Sequence, residues 1–254
     1  MILYYSGCGN SALIAREMAK LTHEKLAFIP SLANENRLPE IGESLGIICP
    51  IYAWDIPELV KNFLKRAVFT NKPSYIWLLC TCGDNTGLAH KRLDKILRSK
   101  GLRLDSAFSV IMPETYINLT GFSLDSPQVV QEKISRALAQ LPTIAQAING
   151  RANTIQMETG SSAWMKTYII NPLFYSTLVK DTFFNVNETC TGCGLCAREC
   201  PLKNITIIDG KPSWGHNCTT CMSCYHRCPQ NAINFGKGTI GKGQYKCPIS
   251  NNGI

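Results

Sequence analysis

The chain has 254 residues, of which 45% are hydrophobic and 17% charged; that balance excludes a disordered polypeptide and describes a soluble globule with a core of its own, in one large or two small domains. No apolar run is long enough to span a bilayer, and the opening MILYYSGCGN has neither the basic nor the apolar region of a signal peptide, so a cytoplasmic location is expected. The formal net charge of +8 suggests an anionic partner, but it counts all thirteen cysteines as neutral, and in a reducing compartment thiols on this scale point to metal rather than to disulfides.

Residues 2–5 form a short apolar run that ends at Ser6, Gly7, Cys8, Gly9, Asn10 and Ser11. Ala12, Ile14, Ala15, Met18, Ala19 and Leu21 then recur at helical spacing. Strand, tight loop and helix make an anion site, because the loop and first-turn N–H groups are unpaired and glycine lets the backbone approach a phosphate. No lysine stands in the Walker position, which argues against a nucleoside-triphosphate loop. Gly7, Gly9 and Ala12 do fit G-x-G-x-x-A, a dinucleotide fingerprint. That fingerprint needs a carboxylate at the end of the second strand, and the second strand here, residues 25–29, ends in Pro30-Ser31.

Residues 45–49 read as a buried strand that runs into Pro50, Ile51, Tyr52, Ala53 and Trp54, with a helix over 58–67 behind it. A further strand at 75–81 ends at Thr81, Cys82, Gly83, Asp84 and Gly87, followed by a helix to about residue 100; a fifth, at 108–112, ends at Pro113-Glu114-Thr115-Tyr116. Strands alternating with helices predict a parallel α/β sheet, whose ligands bind at the carboxyl ends of the strands. The four loops just named all lie at such ends. The helix over 127–149, closing at Gly150, completes the unit.

By these loops, residues 1–150 resemble flavodoxin: Ser6–Ser11 its phosphate loop, residues 50–57 its first flavin-flanking loop, and residues 81–87 its second. The resemblance implies a doubly wound parallel sheet of five strands in the order 2-1-3-4-5, with FMN across its top. Cys8 stands where many flavodoxins have threonine, so a hydroxyl donor is replaced by a weaker thiol. Tyr52 and Trp54 are the candidates to stack on the ring system, against plain core packing. Cys49, Cys80 and Cys82 read as buried thiols near the flavin rather than as a third metal site. Lys91, Arg92, Lys95, Arg98, Lys100 and Arg103 read first as a solvated helix face; the sharper alternative is a dock for an acidic redox partner. The four histidines, at 23, 90, 216 and 226, have no catalytic partner nearby in the sequence.

Residues 151–184 are too apolar for a free linker, with Trp164, Met165, Tyr168, Leu173 and Phe174 among them; they predict a helical connector, broken near Pro172, that packs two domains together. From residue 185 the chain is dominated by Cys190, Cys193, Cys196 and Cys200-Pro201, then Cys218, Cys221, Cys224 and Cys228-Pro229. The second run is the first shifted by 28 positions, and Ile205 and Ile207 shift onto Ile233 and Phe235, so a strand follows each Cys-Pro. Zinc sites need only paired C-x2-C spacings and leave a third cysteine and the Cys-Pro unexplained.

These runs have the C-x2-C-x2-C-x3-C-P spacing of bacterial two-cluster ferredoxins, and the region resembles a ferredoxin domain of α+β type with two [4Fe–4S] clusters. Gly192 and Gly194 allow the tight curl between ligands. In that pattern the fourth cysteine ligates the other cluster, which assigns Cys190, Cys193, Cys196 and Cys228 to one cube and Cys218, Cys221, Cys224 and Cys200 to the other. Asp209-Gly210 predicts a hairpin between 205–208 and 212–214, and the glycine-rich tail from Gly236 is expected to be loosely held, with Cys247 unassigned. Eight ligand thiolates, two cluster cores at about +2 each and a flavin phosphate bring the net charge to roughly +2, which removes the case for nucleic acid.

A flavodoxin-like unit followed by a two-cluster ferredoxin resembles the flavodoxin–ferredoxin fusion proteins of anaerobic microbes. The implied function is cytoplasmic electron transfer between the clusters and an FMN, with ferredoxin-type proteins as donor or acceptor. Two alternatives stay open: a reductase that passes electrons from FMN to a small-molecule acceptor, and a binding module whose first domain has lost its flavin.

Overall fold

The buried apolar runs of the N-terminal half become the strands of one parallel sheet. In a computed structural model of the protein, residues 1–34, 40–69 and 71–248 are described. The elements run β1 (Ile2–Tyr4), α1 (Asn10–Thr22), β2 (Leu26–Phe28), α2 (Ile29–Asn34), β3 (Ser44–Pro50), α3 (Glu58–Arg66), β4 (Tyr75–Cys82), α4 (Ala89–Arg98), β5 (Ser106–Ile111), α5 (Pro127–Asn149) and β6 (Ile155–Gln156). Strand order is β2-β1-β3-β4-β5-β6, and every pair is parallel.

The flavodoxin order is therefore present, with a correction from five strands to six. Ile155 and Gln156 pair with Ala107 and Phe108 at the sheet edge. Two residues are too few to show a period of two, so the pattern reading takes them into the connector. All eight residues of β4 are buried, as a strand covered on both faces requires. Side chains alternate between two layers: Ile47, Cys49, Leu78 and Cys80 meet Val60 and Leu64 of α3 and Leu93 of α4. Ile48, Trp77 and Leu79 meet Ile14 and Met18 of α1 and Leu141 and Ile144 of α5.

Beyond the sheet, α6 (Ala163–Met165), a π-helical turn Lys166–Ile170 and α7 (Asn171–Leu178) follow without interruption. Pro172 does not break the connector, contrary to the sequence reading. It stands in the first turn of α7, directly after the widened π turn, which accommodates a residue without an N–H. Of the connector's apolar residues, Trp164 and Leu173 are exposed, while Phe174 and Tyr175 are half-buried.

After a short turn, β7 (Phe184–Val186), α8 (Leu195–Arg198), β8 (Ile205–Ile208), β9 (Lys211–Trp214), α9 (Ser223–Arg227) and β10 (Ile233–Phe235) build the C-terminal region. The predicted hairpin is β8–β9, closed through left-handed Asp209 and Gly210. Strand β10 pairs antiparallel with β7, and Phe184, Ile205, Tyr225, Ile233 and Phe235 share one small core.

The tail, expected to be loose, is docked as far as Pro248; residues 249–254 lie outside the described residues. The Lys242 ammonium donates to the carbonyls of Ile117, Leu119 and Phe122 at 2.7–2.8 Å. Gln244 donates to the carbonyls of Tyr225 and Cys228, and the Tyr245 hydroxyl donates to Asn10 Oδ1 at 2.6 Å. Burial pushes the His226 imidazole down to about 4, so it stays neutral, accepting from the Tyr245 N–H at Nδ1 and donating from Nε2 to the Thr115 carbonyl. Glycines 241 and 243 supply left-handed turns for this path rather than slack.

Candidate functional site

A cavity of about 640 Å³, within the usual range for small-molecule sites, opens at the carboxyl ends of β1, β3, β4 and β5. Of the predicted residues, Ser6, Gly7, Cys8, Asn10 and Ser11 line it from the first loop, Pro50 to Trp54 from the second, and Thr81 to Asp84 from the third. Gly9 and Gly87 stand outside the lining. Gly9, left-handed at φ 108°, is the N-cap of α1 and lies under Cys247, where a Cβ would come within 2.7 Å of that residue's own. Gly87, also left-handed, makes room for Thr167 and the Trp54 carbonyl. Of the buried thiols, Cys49 and Cys80 face each other in the core, while Cys82 reaches the cavity and is pushed up by burial to about 12.

The first loop is built to receive an anion. No side chain caps α1, so its first-turn N–H groups are left for a ligand, and no cation lines the cavity among the described residues. Ser11 and Thr81 share a hydrogen bond of 2.7 Å, and Asn10 donates to the Pro113 carbonyl, which fixes the loop against its neighbours. The Asp84 and Glu114 carboxylates supply acceptors at the far side, with Glu114 held by the N–H groups of Thr115 and Tyr116.

The second loop is strained and clamped. Ala53 and Trp54 are both left-handed, at φ 47° and 64°, a conformation that costs a non-glycine residue roughly 1–2 kcal/mol. It persists because the surroundings over-determine it. Asn171 donates to the carbonyls of Tyr52 and Ala53 at 3.2 and 2.9 Å, and Thr167 to that of Trp54 at 3.0 Å. Behind the loop, fully buried Asp55 accepts from Lys61 at 2.7 Å, from Arg92 at 3.1 Å and from the Ile56 N–H.

The eight predicted ligand cysteines form two groups. Cys190, Cys193, Cys196 and Cys228 line one small hollow, joined by Gly192, Gly194 and Pro229. The sulfur of Cys200 instead faces Cys218, Cys221 and Cys224. The internal repeat is geometric as well as sequential: the Asn204 N–H donates to Cys200 Sγ and the Ala232 N–H to Cys228 Sγ, each at 3.3 Å. In the second motif, Thr220 and Met222 replace Gly192 and Gly194, yet all four are left-handed. The curl is thus imposed by the ligand spacing and not merely permitted by glycine. Burial, with the neighbouring sulfurs, pushes the Cys218 thiol to about 12 and Cys221 to about 11, so these sulfurs ionise only against positive charge such as iron carries.

The two sites share a wall. Thr219, Thr220, Cys221 and Met222 line the cavity beside the first loop. A Cβ on Gly7 would lie 2.9 Å from that of Cys221 and 3.0 Å from the Tyr52 hydroxyl, so only glycine lets the second cysteine motif approach this closely. Cys8 donates to the Cys221 carbonyl at 3.1 Å. The Tyr5 hydroxyl, buried 3.3 Å from that of Tyr52, lies beside the Cys221 thiol.

The lining extends beyond the residues predicted to hold the cofactor, in three parts. Met112 to Tyr116 with Leu119 and Phe122, the connector's Ile170 to Val179 side, and the second motif all close the cavity. The first carried a signal, since it follows a strand end; the other two come from elements remote in the chain. His216, without a sequence partner, pairs with buried Asp181 at 3.0 Å.

Residues 180–233 match the protein family described as 4Fe-4S dicluster domain. No curated protein matches the chain. Among solved structures, the Trp repressor binding protein from Bacillus subtilis is similar at 13% identity, over 56% of this chain and 96% of that one, with a TM-score of 0.39. The flavodoxin of Streptococcus pneumonia TIGR4 is similar at 14% identity, over 58% and 97%, with a TM-score of 0.35. The NAD(P)H:quinone oxidoreductase from Methanothermobacter marburgensis is similar at 16% identity, over 56% and 94%, also at 0.35. These scores are low, and the flavodoxin-like assignment rests on strand order and on the loops at the strand ends. The chain thus joins a flavodoxin-like sheet to a region that matches the 4Fe-4S dicluster family. No helix among the described residues is long and apolar enough to cross a membrane.

Proposed function

We propose that this chain is an electron-transfer protein in which an FMN held in the strand-end cavity exchanges single electrons with two [4Fe–4S] clusters. Cys190, Cys193, Cys196 and Cys228 hold the outer cluster, and Cys218, Cys221, Cys224 and Cys200 the one beside the cavity. The reading goes with a division into a flavin domain at 1–150, a connector at 151–184 and a ferredoxin domain at 185–254, in a cytoplasmic protein that meets ferredoxin-type partners. The observation that carries it is the shared wall: Cys221 packs on Gly7 of the loop that would hold the flavin phosphate. FMN suits the cavity better than FAD or NAD, because the loop offers one anion site and no carboxylate waits for an adenosine ribose. Ser6 to Ser11 would hold the phosphate, Tyr52 and Trp54 the ring; the bound flavin supplies a carrier of one or two electrons.

Anaerobically reconstituted protein is expected to take up about four electrons per chain, one per cluster and two at the flavin. Chromatography of the acid-released cofactor should give FMN. Recovery of FAD overturns the assignment, and a two-electron uptake without flavin favours the docking-module alternative.

The connector's role gives a second expectation. Asn171→Ala removes the donor that holds the Tyr52 and Ala53 carbonyls, and should weaken FMN binding by about 10- to 100-fold, or about 1.5–3 kcal/mol. Fluorescence titration of flavin-free protein measures this; an unchanged affinity means the loop keeps its shape without the clamp.

The Tyr5 hydroxyl gives a third. A hydroxyl dipole beside a ligand sulfur stabilises the extra negative charge of a reduced cluster. Tyr5→Phe should therefore lower the potential of one cluster by on the order of 50 mV, equivalent to about 1 kcal/mol. Potentiometric titration followed by electron paramagnetic resonance resolves the two clusters, and equal shifts in both count against the contact.

A further inference from the structure

The connector helix leaves an apolar row uncovered. A surface helix ordinarily buries its apolar stripe. Here the side held against the protein is mixed: Thr167 and Asn171 are buried and clamp the loop at residues 52–54, and Ile170 and Phe174 turn to the cavity. Trp164, Met165, Ile169 and Leu173 point outward, 62%, 46%, 53% and 61% exposed. A row of large apolar side chains left in water while polar ones are buried marks a surface meant to be covered.

Positive charge flanks the row. The Arg92 guanidinium sits 5.3 Å from the Tyr168 ring, which in turn lies 5.8 Å from that of Trp164. Lys166 stands over Trp54 at 5.6 Å. Lys91 and Lys95, on the same helix as Arg92, are exposed and have no acidic partner among the described residues. An apolar centre with a cationic rim is the anatomy of a protein interface, and the charge selects an acidic partner. The row also has a direction, since Leu173 belongs both to it and to the rim of the strand-end cavity.

We propose that this face docks a small acidic electron-transfer protein, which delivers electrons at the mouth of the cavity. The inference rests on the flavin reading given above. In each encounter the reduced partner loses one electron and the holoprotein gains it, with no bond made or broken.

The test uses cofactor-loaded protein and, as probe, a pre-reduced acidic two-cluster ferredoxin mixed in stopped flow at several salt concentrations. Two variants lie outside the cavity lining: Met165→Gln with Ile169→Gln, and Lys91→Glu with Lys95→Glu. Each should slow reduction by the probe at least about ten-fold at low salt, and the wild-type rate should fall as salt rises. Flavin and iron contents and reduction by dithionite should not change. Variant rates equal to wild type, or a rate indifferent to salt, overturn the proposal. So does sedimentation of the wild type with phosphatidylglycerol vesicles that the variants lose while their transfer rates hold, which would make the face a lipid contact. Calorimetric titration of the probe into the chain reads docking without the flavin, so a missing flavin defeats the cofactor reading while leaving docking to be decided by the heat of binding and its loss in both variants.

Discussion

Cys228→Ala is expected to destroy the cluster bound mainly by the first cysteine run and to spare the one bound by its own. Iron content should fall from about eight toward about four per chain, because a cube left with three thiolates loses iron readily. The geometry behind this is the hollow that Cys228 shares with Cys190, Cys193 and Cys196, and the Ala232 N–H that aims its sulfur at 3.3 Å. Cys200→Ala should do the converse, since the Asn204 N–H sets that sulfur toward Cys218, Cys221 and Cys224. Iron analysis with electron paramagnetic resonance reports which signal is lost. If each substitution removed the cluster of its own run, the crossed wiring would be wrong. Cys247→Ser is a control: that residue is buried against Gly9 and belongs to neither cysteine group, and iron should be unaffected.

Lys242→Met should separate the two halves of the molecule. One ammonium satisfies three carbonyls in the loop after β5, and hydrogen bonds to a charged group contribute more than neutral ones. Their loss, with the carbonyls left partly unpaired, is expected to cost about 3 kcal/mol or more of docking free energy, roughly a hundred-fold in the docked population. Because Lys242 touches no cysteine and meets the lining residues Leu119 and Phe122 only at their backbone carbonyls, both cofactors should stay bound while exchange between them slows at least about ten-fold. Stopped-flow reduction reads the exchange, and limited proteolysis reads release of the tail. Normal exchange in a protein whose tail is readily cleaved would show that the tail does not hold the halves together.

Much of the chemistry was legible because it is local. Thiolates around a cube must be spaced in the chain so that neighbouring residues reach it, and a phosphate loop is a handful of consecutive residues between a strand and a helix. Cys190 to Cys200, Cys218 to Cys228 and Ser6 to Ser11 are therefore visible as spacing. Buried parallel strands such as Tyr75–Cys82 are equally visible, since burial on both faces demands an unbroken apolar run. Where the signal was short or the partner distant, the reading failed. Ile155–Gln156 is too brief to show a period. The glycines after residue 236 look slack until Lys242, Gln244 and Tyr245 are seen to be bonded to groups remote in sequence or in the preceding motif.

Two cysteine runs at cluster-ligand spacing and a flavodoxin-like sheet can be read directly from the sequence, because ligand spacing and strand burial are written in consecutive residues. Which cysteine motif adjoins the cavity, that Gly7 meets it without room for a side chain, and that Trp164 and Leu173 face solvent are visible only in the folded chain. Those facts depend on contacts between residues more than two hundred positions apart, such as Cys8 with Cys221. Such contacts are settled by the packing of whole surfaces and by the hydrogen bonds those surfaces must satisfy, which no short window of sequence records.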